Sequence, residues 1–138
     1  MSDEIPLLGM VPHGIKVREQ RILIDQLEVI ADIGFHEYEV GTPQRLLITV
    51  ELWIDDHQPP ADDDPEQAWD YDFVVRQIRD LATRRRYNLQ ETLLHAIFQR
   101  VAAARGIKGL KVTSAKPVVF ADARGVGVTI SSFIGTAP

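Results

Sequence analysis

Asn88-Leu89-Gln90-Glu91-Thr92-Leu93-Leu94 opens a run of helical periodicity that continues to Arg105. Leu93, Leu94, Ile97, Phe98 and Val101 recur at the spacing of a helix that buries one stripe. Asn88 is expected to cap the start, with Glu91 three residues on in a variant of the capping box. Gly106 is expected to stop the helix just past Arg105. Beyond it the reading changes to strands. Leu110 to Ala115 leads into Lys116-Pro117, residues 117–124 form a connection, and Gly125-Val126-Gly127-Val128-Thr129-Ile130 begins a closing strand that runs to Phe133. A carboxylate at the helix start and a lysine at the strand end are unexpected beside so much apolar surface. Glu91 and Lys116 are therefore the first candidates for chemistry.

Working back towards the N-terminus, Asp70-Tyr71-Asp72 opens an earlier helix, with Asp70 or Asp72 as its N-cap. Phe73, Val74, Ile78 and Leu81 supply its apolar stripe. Arg84-Arg85-Arg86 closes it with cations at the negative end of the helix dipole, a plainer account than nucleic-acid binding. Residues 55–64 are rich in Asp and Pro and lack the spacing and central glycine of a calcium loop, so they read as a solvated connection. Gln44 to Asp55 alternates clearly, with Leu46, Ile48, Val50 and Leu52 on one side. Arg18 to Phe35 reads as a long strand broken near Asp25-Gln26 by a bulge. His36 to Pro43 joins these two strands as a hairpin. Residues 1–17 hold two prolines and two glycines without periodicity and read as an N-terminal arm, leaving 18–135 as a single domain. The order strand, strand, helix, helix, strand, strand implies an α+β fold, a four-stranded antiparallel sheet with both helices on one face. An open sheet of this kind has two edges that invite pairing with other subunits.

Composition narrows the function. The 138 residues suit one domain, with 45% hydrophobic and 25% charged residues and a net charge of −5. A chain this acidic does not present a broad phosphate-binding surface, so nucleic acid is not the expected partner. There are no cysteines, which removes disulfides, thiolate nucleophiles and Cys-ligated zinc. No apolar run reaches the ~20 residues that span a bilayer, and the acidic start is unlike a secretory signal. These features lead to an expectation of a soluble, cytoplasmic protein. His13, His36, His57 and His95 share no ligand spacing, and Glu91 with His95 is one isolated pair, so no metal site is expected. No Walker loop or dinucleotide fingerprint is present.

Taken together, Gly34-Phe35-His36 leading to Glu39 and Gln44, Tyr71 ahead of the first helix, Asn88-Leu89-Gln90-Glu91 opening the second, and Lys116-Pro117 followed by Val126-Gly127-Val128 resemble the dihydroneopterin aldolase family. The resemblance covers roughly residues 18 to 133. It implies the tunnelling, or T-fold, arrangement ββααββ, in which sheets from four subunits join into a barrel and two barrels commonly stack as an octamer. It also implies a small-molecule pterin substrate, no cofactor, and sites at the interfaces of a homo-oligomer. By the same resemblance Glu91 clamps the 2-amino and N3 positions of the pterin, and Gln90 and Asp70 complete the expected substrate-binding set. Lys116 is the catalytic lysine, Tyr71 a catalytic tyrosine contributed across a subunit boundary, and Glu39 an acid near the substrate side chain.

These residue types suit that chemistry. A carboxylate accepts two parallel N–H bonds from a guanidine-like ring edge better than a neutral acceptor does, and a helix N-terminus favours its charged form. The dihydropterin ring itself takes up electrons from a retro-aldol cleavage, so neither Schiff base nor metal is required. Lys116 then positions or activates a water, and Tyr71 delivers a proton to the enamine-like intermediate. Taken singly each residue has a plainer role: Glu91 as a cap, Lys116 as edge protection, Tyr71 as packing, Glu39 as an ordinary polar turn residue. Gln90 stands where the family commonly has an apolar residue, and Glu37 and Phe120 also depart from its pattern. Two alternatives accompany the aldolase: a pterin epimerase sharing the retro-aldol intermediate, and a non-catalytic pterin-binding protein.

Overall fold

The computed structural model describes residues 14–54 and 61–135. Its elements run β1 (Arg21–Ala31), a 3₁₀ turn (Glu37–Glu39), β2 (Gln44–Ile54), two short 3₁₀ turns (Ala61–Asp63, Pro65–Gln67), α1 (Tyr71–Arg84), α2 (Gln90–Ala102), β3 (Ile107–Lys116) and β4 (Val126–Phe133). The four strands form one antiparallel sheet in chain order, β1-β2-β3-β4. This is the expected α+β arrangement. Residues 14–17 are exposed and outside any regular element; the remainder of the expected arm, and most of the Asp- and Pro-rich connection, lie outside the described residues. Among the described residues no helix is long and apolar enough to cross a membrane.

Register explains which side chains are buried. Leu46, Ile48, Val50 and Leu52 of β2 point to one face with Leu110 and Val112 of β3, and all are at most 2% exposed. Val74, Ile78 and Leu81 of α1 and Leu93, Leu94, Ile97 and Val101 of α2 close over that face in a single core. Period-two and period-3.6 patterns thus meet on one surface, where each large side chain fully withdrawn from water contributes about 1.5–3 kcal/mol. The opposite face carries Glu51, Thr49, Lys111, Thr113 and Thr129, a polar pattern suited to water on one side of an antiparallel sheet. Arg21 and Glu51 pair across it at 2.5 Å. The expected bulge is present: the β1–β2 register shifts between Ile24 and Leu27, Gln26 adopts φ 57°, and its N–H donates to Thr49 Oγ1 at 3.0 Å.

Several boundaries move. α2 ends at Ala102 with Ala103 as C-cap, so Gly106 does not terminate it. Gly106 instead takes φ +84° in the turn that starts β3, three residues earlier than expected. Asn88 does not cap α2 either. Leu89 occupies the N-cap position without a side-chain bond, and Asn88 Oδ1 accepts from Arg86 Nη1 at 2.7 Å. Of the arginine triplet, only Arg84 lies in the last turn of α1. Arg85 stacks over the Tyr87 ring at 4.5 Å. Arg86 turns back towards β1 and pairs with Asp32 at 3.3 Å.

Candidate active site

At one end of the sheet three connections converge: the loop between β1 and β2, the start of α2, and the exit of β3. They enclose a cavity of about 380 Å³ lined by, among others, Glu39, Gln44, Gln90, Glu91 and Lys116. That size is within the usual range for a small-molecule site.

Lys116 is brought here by strand phase. It follows Leu110, Val112 and Ser114 on the helix-covered face of β3 and pairs with Val126 across the ladder. Its Nζ lies 2.6 Å from Glu39 Oε2. Gln44 is the first residue of β2 and in phase with Leu46 and Ile48; its Nε2 donates to Glu39 Oε2 at 2.8 Å and to Ile33 O at 2.6 Å. The His36 N–H adds a bond to Glu39 Oε1 at 3.2 Å. Only 7% of Glu39 is exposed. The Lys116 ammonium, and then the Gln44 and His36 donors, lower its pKa from 4.5 to about 2 against the opposing effect of burial. Glu39 is therefore an ionised carboxylate with a fixed orientation.

Gly34 makes that position possible. It adopts φ +123°, and a Cβ placed there would overlap the Glu39 carboxyl group. The remaining wall is aromatic: the ring of His36 stacks with Phe35 at 4.5 Å and with Tyr38 at 5.4 Å.

On the opposite side Glu91 sits in the first turn of α2. With the N-cap at Leu89, Glu91 is the second helical residue and cannot close a capping box. No hydrogen bond or ion pair engages its carboxylate among the described residues. Gln90 is tied down: its Oε1 accepts from the buried Ser114 Oγ at 2.9 Å and its Nε2 donates to Val126 O at 3.2 Å.

Four of the six residues singled out in the sequence, Glu39, Gln90, Glu91 and Lys116, thus line one cavity. Asp70 and Tyr71 do not line it within the chain. Asp70 caps α1, accepting from Phe73 N at 3.3 Å, and Tyr71 begins α1 with 55% of its surface exposed. Gln44 and Gly34 also line the cavity, and the family resemblance implies no role for either. A polar residue in the buried phase of β2 was the available signal for Gln44. For Gly34 the signal was a glycine immediately after an apolar strand.

Among the described residues the arrangement offers an unpaired carboxylate acceptor and an ordered carboxylate–ammonium pair in one cavity that Phe35, Tyr38, Val118 and Val126 also line. Such a site can bind a planar N–H-rich ring and move protons beside it.

Comparison with known proteins agrees with this description. The family model for dihydroneopterin aldolase (FolB) matches residues 22–131. Dihydroneopterin aldolase of Haemophilus influenzae is 30% identical over 110 residues, covering 80% of this chain and 93% of that protein. The solved structure of a protein described as a putative dihydroneopterin aldolase from Vibrio cholerae superposes with a TM-score of 0.76 at 26% identity, over 85% of this chain and 99% of the other. That of the Burkholderia thailandensis dihydroneopterin aldolase, bound to guanine, gives 0.73 at 26% identity, over 85% and 93%. From the ββααββ sheet, the family model spanning most of its length and these matches, the chain belongs to the dihydroneopterin aldolase family.

Proposed function

We propose that the chain cleaves 7,8-dihydroneopterin by a retro-aldol reaction to 6-hydroxymethyl-7,8-dihydropterin and glycolaldehyde, a step of folate biosynthesis, with Glu91 as the ring clamp and Lys116, Glu39 and Tyr71 as the proton-handling groups. The observation that carries this reading is the Glu39–Lys116 pair at 2.6 Å in the same cavity as the unengaged carboxylate of Glu91.

Glu91 accepts the 2-amino and N3 hydrogens of the pterin in two parallel charge-assisted bonds. Guanine carries the same amino and ring N–H edge, so its presence in the Burkholderia relative supports the clamp. The clamp points the side chain at C6 towards Lys116. A water held by Lys116 and Glu39 takes the proton of the 2′-hydroxyl. The C1′–C2′ bond then breaks, C2′ becomes the aldehyde carbon of glycolaldehyde, and the bonding pair passes into the C1′–C6–N5 system. Return of a proton to C1′ completes the hydroxymethyl product, so protons and electrons balance without an external acceptor. The ring is the electron sink, which is why neither a Schiff base nor a metal enters the proposal.

Tyr71, with Asp70 beside it, reaches the cavity of a neighbouring subunit in this reading and supplies the proton to C1′. Among the described residues both outer strands, β1 and β4, leave one edge unpaired, which favours a barrel of subunits joined edge to edge, as a tetramer or a stacked octamer.

The test is anaerobic incubation of the purified protein with 7,8-dihydroneopterin, resolving products by chromatography. Stoichiometric hydroxymethyl-dihydropterin and glycolaldehyde are expected. Conversion to a stereoisomer without fragment release would make the protein an epimerase, and binding without turnover would make it a pterin-binding protein.

A further inference from the structure

Arg86 lies outside the Glu39–Lys116 pair and outside the cavity lining, yet its guanidinium joins two of the three segments that form the site. Asp32, at the end of β1, begins the loop that ends in Glu39 and Gln44. Arg86 comes two residues after α1 and three before Leu89, the N-cap of α2, in the segment leading to Glu91. The backbones of these segments run together as a short parallel bridge, Ile33 beside Tyr87, with Gly34 N donating to Tyr87 O at 3.0 Å and Tyr87 N to Asp32 O at 3.1 Å. Across that bridge the guanidinium forks. Arg86 Nη2 donates to Gly34 O, Nη1 to Asn88 Oδ1 at 2.7 Å, and Nε lies 3.3 Å from Asp32 Oδ1. Asp32 Oδ1 also accepts from Gly41 N at 3.1 Å, beyond the turn that presents Glu39. The same oxygen therefore accepts from the far end of the loop and forms an ion pair, without a hydrogen bond, to the arginine.

We propose that Arg86 is a positioning residue for the reaction, setting the distance between the ring clamp at Glu91 and the proton-transfer pair Glu39–Lys116. This rests on the function proposed above. Two of its contacts, Gly34 and Asn88, themselves line the cavity, and Gly34 is the residue whose missing side chain admits the Glu39 carboxylate. Retro-aldol cleavage needs the ring and the 2′-hydroxyl held at once. A small shift between the two walls leaves the ring bound and the water misaligned. A planar fork donates to Gly34 O and Asn88 Oδ1 on two segments while its charge faces Asp32, which a lysine ammonium on a flexible stem cannot do together.

The experiment compares wild type, Arg86→Met and Arg86→Lys for turnover of 7,8-dihydroneopterin and for equilibrium binding of neopterin, a pterin that probes the clamp without reacting. Arg86→Met is expected to lose about tenfold or more in kcat while its neopterin Kd stays within roughly threefold. Arg86→Lys is expected to recover only part of that loss. Wild-type kcat in folded Arg86→Met overturns the proposal, as does an equal loss in kcat and neopterin affinity. Asp32→Asn serves if the arginine variants fail to fold, because its Oδ1 still accepts from Gly41 N while the charge facing Arg86 is gone. A kcat loss of roughly threefold with unchanged neopterin affinity supports the coupling, and unchanged kcat opposes it. If wild type binds neopterin but cleaves nothing, the aldolase reading fails; if wild type cleaves and the variants match it, only the role of Arg86 fails.

Discussion

Glu39 is the residue on which the others converge, since Lys116, Gln44 and the His36 backbone all direct donors at one carboxylate. Its contribution to stability has a definite sign. The folded-state pKa of about 2 lies below the ordinary 4.5, so the stabilisation is fully present above pH 4.5 and is lost as pH falls through the interval down to about 2. Unfolding midpoints in urea, measured across that interval, are expected to fall more steeply for wild type than for Glu39→Gln. Parallel profiles would show that the carboxylate contributes nothing through its charge. In the proposed reaction Glu91 serves binding and Lys116 serves chemistry. Glu91→Ala is expected to weaken neopterin binding about 100-fold, the loss of two charge-assisted bonds. Lys116→Ala is expected to lower kcat by at least ~100-fold with much smaller loss of affinity. Equal losses in both parameters for Lys116→Ala would remove it from the proton-transfer step.

Among the elements, α1 and α2 begin in opposite ways. α1 has a side-chain cap, Asp70, whose carboxylate also lies 3.5 Å from Arg76, whereas α2 begins at Leu89 with no side-chain cap. Among the described residues, the helix that carries the proposed ring clamp therefore meets the cavity with no side-chain cap on its first-turn N–H groups. Asp70→Ala is expected to destabilise the protein by about 1 kcal/mol through loss of the cap, read as a lower melting temperature at fixed protein concentration. A simultaneous rise in KM would place the Asp70 carboxylate on a neighbour's substrate as well. An unchanged KM would leave it as a cap alone.

At the scale of the whole molecule, the cavity carries exposed apolar side chains: Phe35, Tyr38 and Val118 line it and each leave more than half of their surface in water, while Tyr71 stands exposed elsewhere. Contiguous exposed apolar surface of this kind marks an interaction site, and a second subunit that brings Tyr71 covers it in the proposed assembly. Lys116→Ala and Tyr71→Phe chains, each nearly inactive, are therefore expected to regain activity when unfolded together and refolded. A site that takes its lysine from one variant and its tyrosine from the other is intact, up to about a quarter of sites at equal mixing. No recovery in mixed oligomers of confirmed composition would place both residues in the same chain's site.

The sequence by itself determined the local pattern. Alternation in Leu46 to Leu52, the stripes of α1 and α2 and the bulge near Asp25-Gln26 depend on neighbours within a few residues, and the ββααββ order follows from them. It also placed Lys116 at a strand end and Glu91 at a helix start. Only the tertiary structure decided what these residues meet. The Glu39–Lys116 pair joins positions 77 apart in the chain, and it forms because β2 pairs with both β1 and β3 in one register. The Arg86 fork forms because a short parallel bridge brings residues 86–88 beside residues 32–34. The cap of α2 moved from Asn88 to Leu89 for the same reason, since Arg86 engages the Asn88 side chain. Periodicity reports which face of an element is buried, whereas long-range polar partners are set by packing between elements that no local window contains.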